Sequence, residues 1–132
     1  MSIPFSEKWR TARKCNTLTD KAIATFDAQY RLLKMQGKSI ETTNGINKRA
    51  LGYLDGFIGS AAKAQGLDLK HPYVSAIFIR LYHHIWGEEA GRFLLSSLEF
   101  DDEMRAGCTI GATDFRFSSQ TGMQPTGWFG CF

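Results

Sequence analysis

The sequence lacks the short motifs that mark a catalytic site. It has no Gly-x-Ser-x-Gly elbow, no phosphate-cradling glycine loop ending in Lys-Ser or Lys-Thr, and no dinucleotide fingerprint. His-Glu-x-x-His is missing, and so are the Glu-x-x-His pairs of di-iron bundles. Cysteine is sparse: Cys15, Cys108 and Cys131 form no Cys-x-x-Cys pair and leave one thiol over. That excludes a disulfide framework and points to a reducing, cytoplasmic setting. Cys131 is next to last, the wrong place for a prenylation box. No apolar run follows a basic start, so no signal peptide is expected. The longest apolar stretch, 72–100, is interrupted by Arg80, His83, His84, Glu88 and Glu89. It therefore reads as core and not as a membrane span. There are no repeats and no low-complexity tract.

What is present is enough for one folded domain. The chain has 132 residues, 43% of them hydrophobic, with ten phenylalanines, which excludes a disordered chain and allows a single core. Its net charge of +3 hides an asymmetry. Residues 1–70 carry 12 Lys and Arg against 6 Asp and Glu, and residues 71–132 carry 4 against 7. The positive charges are dispersed, so mutual attraction of the two halves, within the fold or between subunits, is preferred over a nucleic-acid face.

The helical pattern is plainest after Pro72, a first-turn proline. Val74, Ile77, Phe78, Leu81, Tyr82 and Ile85 fall on one arc at about 100° per residue. Past Gly87 the arc fails, because Glu88, Glu89 and Arg92 enter it. A break at Gly87 is the preferred explanation, with the glutamates in the first turn of a new helix. Upstream, Ser6 can cap a short helix from Glu7 to about Cys15, and Thr17 or Thr19 a second one ending at Gly37. The second carries Ala22, Ile23, Phe26, Tyr30 and Leu33 at helical spacing. Thr43 or Asn44 starts a third helix to Gln65, with Ile46, Ala50, Tyr53, Leu54, Phe57, Ile58 and Ala61 on its apolar face.

That third helix has an oddity. Gly45, Gly52, Gly56 and Gly59 project within about 60° of one another, nearly opposite the apolar face. Each interior glycine costs about 1 kcal/mol relative to Ala. A close approach to that backbone is expected, by another helix, a second subunit or the chain's own tail.

The last quarter changes character. Glu99, Asp101, Asp102 and Glu103 read as a solvated acidic turn rather than a calcium loop. Thr113, Phe115 and Phe117 alternate with polar residues, the period of a short strand. Gln120 to Gly127 reads as loop. The end is apolar, and free in water Trp128, Phe129 and Phe132 would invite aggregation, so the tail folds back or docks on a partner.

These readings combine into a mainly α fold: a bundle of four to five helices around a central buried helix at about 72–86, with an irregular or short-strand C-terminal segment. Residues 1–132 form one helical domain, and 107–132 form a glycine- and aromatic-rich extension packed on the helices or on a partner. The preferred function is a small, soluble interaction module, meaning an accessory, inhibitory or regulatory subunit without catalysis. It would contact a protein partner or a second copy through Gly52, Gly56, Gly59, Trp128, Phe129 and Phe132. No cofactor is required. A first alternative is a metal-dependent enzyme. His84 and Glu88, four apart on a continuous helix, would give two ligands for a divalent metal, with His83, Glu89 or His71 nearby. The simpler reading of that run is a surface ladder, Arg80–His84–Glu88–Arg92. A second alternative is nucleic-acid binding by Lys8, Arg10, Arg13 and Lys14 beside Trp9. A thiol nucleophile pairing Cys15 or Cys108 with a histidine is the least of the readings. No membrane association is expected.

Overall fold

The computed structural model describes residues 5–37, 41–42, 45–87, 101–123, 125, 127–128 and 131. Four α-helices occur among them: α1 (Phe5–Met35), α2 (Lys48–Ala64), α3 (Pro72–Trp86) and α4 (Asp102–Thr121). A two-residue antiparallel ladder joins β1 (Glu41–Thr42) to β2 (Gly45–Ile46), with Glu41 opposite Ile46. No helix among the described residues is long and apolar enough to cross a membrane.

α1 is a single helix of 31 residues where the caps at Thr17 and Thr19 suggested two. The Thr19 hydroxyl donates to the carbonyl of Cys15 one turn back, at 2.7 Å, so it is satisfied inside the helix and has no need to cap a new one. Cys15, Thr19, Ala22, Phe26, Gln29 and Leu33 are buried at alternating four- and three-residue steps, with Leu18 buried beside them. Gly37, at φ +73°, lies just beyond the helix end, in the left-handed conformation that closes many helices.

α2 begins at Lys48, not at 43 or 44. Its cap is Asn47, whose Oδ1 accepts from the Ala50 N–H at 3.1 Å. Ala50, Leu51, Tyr53, Leu54, Ile58, Ala61 and Ala62 are all buried, so the helix is covered on nearly every side. The architecture is therefore centred on α2, and α3 is a flanking helix packed chiefly on α1. α3 has the span expected of it. His71 caps it by accepting from the Tyr73 N–H, and the helix stops at Gly87, φ +91°. Arg80 reaches Asn16 and His84 reaches Asp27, so α3 runs in the same general direction as α1.

The expected short strand at 113–118 is corrected: those residues lie within α4, a helix of 20 residues. Asp101 caps α4 by accepting from the Met104 N–H at 3.0 Å, with Asp102 and Glu103 in its first turn. Gly122 ends it at φ +73°. Asp101, Asp102 and Glu103 of the acidic turn thus make a helix start, and Glu99 lies outside the described residues. Asp101 also pairs with Lys48, and Glu103 lies 3.2 Å from Arg49, so the basic and acidic halves of the chain meet where α2 and α4 begin. Lys48 and the capped N–H together hold the Asp101 carboxyl below its usual range.

Candidate functional site

The glycines of α2 face α4. A Cβ placed on Gly52 would lie 2.0 Å from the carbonyl oxygen of Met104, and one on Gly56 would lie 2.0 Å from that of Cys108. The relation is mutual. A Cβ on Gly107 would meet the Arg49 oxygen at 1.9 Å, and one on Gly111 the Tyr53 oxygen at 2.1 Å. In place of those carbons each glycine presents a Cα–H to a carbonyl three residues before its counterpart glycine. Such contacts contribute about 0.5–1 kcal/mol each. Positions 49, 52, 53 and 56 correspond to 104, 107, 108 and 111 by a constant offset, so α2 and α4 are parallel and related by a local two-fold. Two Gly-x-x-x-Gly motifs, 52–56 and 107–111, make the seam. Gly59 is different: among the described residues a Cβ there would have its nearest neighbour, Leu69 Cδ1, at 4.0 Å. The approach expected at this stripe is thus made at Gly52 and Gly56 by a helix of the same chain.

The segment after α4 returns across this pair. Trp128 is fully buried, with its ring 5.4 Å from Phe26, edge to face, and its Nε1 donates to the Ala50 carbonyl at 3.2 Å. Gln29 Nε2 donates to the Pro125 carbonyl at 2.8 Å, and Asn47 Nδ2 to the Cys131 carbonyl at 2.9 Å. The Asp114 Oδ2 accepts from the Gly127 N–H and from the Tyr53 hydroxyl. Burial raises the Tyr53 hydroxyl well above its ordinary range, and the Asp114 carboxylate adds to that. Phe26 also packs against Tyr53 and Phe57, so one aromatic cluster joins α1, α2 and the tail. Phe129 and Phe132 lie outside the described residues.

A second buried phenol–carboxylate pair ties α2 to α3. The Tyr82 hydroxyl donates to Asp55 Oδ1 at 2.6 Å. Burial raises the Asp55 carboxyl, against the hydrogen bond that lowers it, and burial likewise raises Tyr82. Neither pair was singled out from the sequence, because a single Asp among apolar residues carries no spacing signal. Gly107 and Gly111 did carry one: their four-residue step repeats that of Gly52 and Gly56.

His84 stands 3.3 Å from Asp27 Oδ1 on α1. Glu88 and Glu89, the other halves of the metal and ladder readings, lie outside the described residues. Among the described residues no group of three or more His, Cys, Asp or Glu converges as a metal site. The His83 Nε2 is buried without a hydrogen-bond partner, as is the Trp86 Nε1. All three thiols are free, and burial raises each of them, Cys131 to about 11.

The first two turns of α1 stand outside this core. No residue from Glu7 to Lys14 is buried, and Lys8, Trp9, Arg10, Arg13 and Lys14 are exposed. Trp9 is 57% exposed, with the Arg13 guanidinium 5.1 Å from its ring centre. One turn further on, α1 and α3 enclose a cleft of about 280 Å³ floored by Cys15 and Ile77 and flanked by Ala12, Tyr73, Ala76 and Arg80. Tyr73 is 41% exposed there.

Comparison of the chain with protein-family profiles, with curated proteins and with solved structures finds no match.

Proposed function

We propose that the protein is a small interaction module that docks a protein partner on the face shared by α1 and α3. The observation that carries this reading is the exposure of two aromatics on the two helices that form the cleft: Tyr73, which lines it at the start of α3, and Trp9, one turn before the cleft residue Ala12 on α1. Tryptophan, tyrosine and arginine are the residue types that dominate binding energy at protein interfaces. Here they occur together, since Arg13 covers Trp9 and Arg80 flanks the cleft. From Glu7 to Lys14 α1 buries no side chain fully, so these turns gain less from tertiary packing than the rest of the helix. Lys8, Arg13 and Arg80 favour a partner that offers carboxylates around an apolar recess. The docking surface proposed here differs from the glycine stripe and tail, since Gly52, Gly56 and Trp128 are already engaged within the chain.

The test is site-specific photo-cross-linking in the organism that makes the protein. A photoreactive phenylalanine replaces Trp9, Tyr73 or, as a control away from the face, Arg31. A discrete protein adduct from positions 9 and 73 and none from 31 is the expected result. Equal labelling at all three positions, or none at 9 and 73, contradicts the reading.

A further inference from the structure

α1 has a second flank. Ala12, Cys15, Asn16 and Thr19 face α3, whereas Leu18, Lys21, Ala22 and Thr25 are centred about 120° round the helix from them. On that side α1, α2, α4 and the segment after α4 enclose a groove of about 300 Å³. Its apolar walls are Leu18 and Ala22 of α1, Phe57, Ile58 and Ala61 of α2, and Phe115 of α4. Met123 and Pro125 add apolar surface from the returning chain. The volume is at the lower end of the range for small-molecule sites, and a place between helices is where bundles hold them.

Among the described residues the charge at this groove is positive: Lys21 is the one ionisable side chain on its described lining. Gln65 lines the groove and also lines a neighbouring hollow of about 330 Å³, whose other walls are Arg10, Arg13, Lys14 and Thr17. An apolar compartment and a cationic one therefore share a wall at Gln65. On the helix, Arg10, Lys14 and Lys21 project within about 40° of one another, so they form a stripe along the groove's edge. Lys14 Nζ already bonds the Gln65 carbonyl at 3.3 Å, which holds one ammonium at the junction. Among the described residues no carboxylate lines either compartment.

We propose that this two-part site binds a single-chain amphiphile with a phosphate head. The alkyl chain lies against Leu18, Phe57, Ile58 and Phe115. The phosphate meets Lys21, Lys14 and Arg10. A phosphate suits these groups better than a carboxylate, because it carries more charge and gives a guanidinium two oxygens to bond. The groove residues Leu18, Lys21, Phe57, Ile58 and Phe115 do not line the α1–α3 cleft, so decyl phosphate binding and partner docking can fail separately, although Arg13 borders both regions.

Isothermal titration of the full chain with decyl phosphate, below its micelle concentration, tests the assignment. One saturable site per chain is expected. Octyl phosphate should bind about tenfold more weakly, since each buried methylene is worth roughly three- to fourfold. Decanoate should bind more weakly than decyl phosphate, and decyltrimethylammonium at least 30-fold more weakly, a margin set as an order-of-magnitude criterion for charge selectivity. Lys21→Glu should weaken decyl phosphate about tenfold or more, the scale of losing a charge-assisted bond. Ala64→Trp, at an exposed position on the lining, should block it while leaving the urea midpoint near that of the wild type. The assignment is overturned by the absence of saturable binding to the wild type, by equal binding of the cationic amphiphile, or by decanoate binding as tightly as the phosphate. Undiminished affinity in both variants, or insensitivity to chain length, overturns it as well.

Discussion

Replacing Gly56 by Ala should destabilise the protein, and replacing Gly59 by Ala should stabilise it, although the two are less than one turn apart on the same helix. At Gly56 the new methyl would stand 2.0 Å from the Cys108 carbonyl oxygen, where ordinary contact begins at 3.4 Å. The obstacle is backbone, so no rotamer change relieves it. The two helices must part locally by about 1.4 Å, and the facing Gly52, Gly107 and Gly111 contacts loosen with them. Overpacking of this kind costs about 3 kcal/mol, at the upper end of the usual range. Helix propensity returns about 1 kcal/mol of that. The net loss is about 2 kcal/mol, or a fall in Tm of about 6–10 °C for a chain of this size. At Gly59 the nearest atom among the described residues would be 4.0 Å away, so the methyl meets no backbone of α4 and the propensity gain remains, about 0.5–1 kcal/mol. Urea denaturation followed by far-ultraviolet circular dichroism measures both variants on one scale. A Gly56→Ala protein as stable as the wild type, or a shift of the same sign in both variants, would refute the backbone-contact seam.

Three further outcomes follow from the same geometry. Trp128→Ala should cost about 3–5 kcal/mol, the usual penalty for truncating a fully buried aromatic, read as a lower urea midpoint. Asp101→Ala removes the α4 cap and should cost about 1 kcal/mol, whereas Asp101→Asn, which still caps, should retain most of it. Cys131 gives an alkaline signature. Its thiol is raised from 9.0 to about 11, chiefly by burial, so the unfolded chain loses this proton first as pH rises. Its contribution is fully present below pH 9 and is lost as pH climbs through about 11. Between those limits the wild type should lose more stability than Cys131→Ser in urea titrations at stepped pH, and parallel curves would count against a buried thiol.

The parts of the fold that were legible in the sequence rest on hydrophobic period and on punctuation by glycine and proline. Pro72 and Gly87 bound α3, and Val74, Ile77, Leu81, Tyr82 and Ile85 are buried where the 3.6-residue period puts them. Gly37 and Gly66 mark helix ends, both at positive φ. What was not legible has one physical origin. α4 meets α2 through glycine, and hydrophobic periodicity gives a residue without a side chain no weight. Met104, Gly107, Cys108, Gly111 and Phe115 form a helical stripe at steps of three and four, yet only Thr113, Phe115 and Phe117 stood out by apolarity. They alternated by chance and suggested a strand. The same gap displaced the centre of the fold: α3 is the most hydrophobic run, but α2 is the helix that α4, the tail and Phe26 all touch. The docking face was half legible, in that Trp9 and its basic neighbours were noted. The cleft that Tyr73 and Arg80 form with Ala12 and Asn16 depends on α1 and α3 running side by side, which spacing within either helix does not encode.

A native mass spectrum of the protein isolated from its own source tests the docking face most directly, taken for the wild type and for the Trp9→Ala, Tyr73→Ala double variant. The prediction is a stoichiometric protein partner on the wild type that is lost in the variant, with the variant's own fold and urea midpoint unchanged. A partner retained by the variant, or a wild type that carries none, contradicts the assignment of the α1–α3 face.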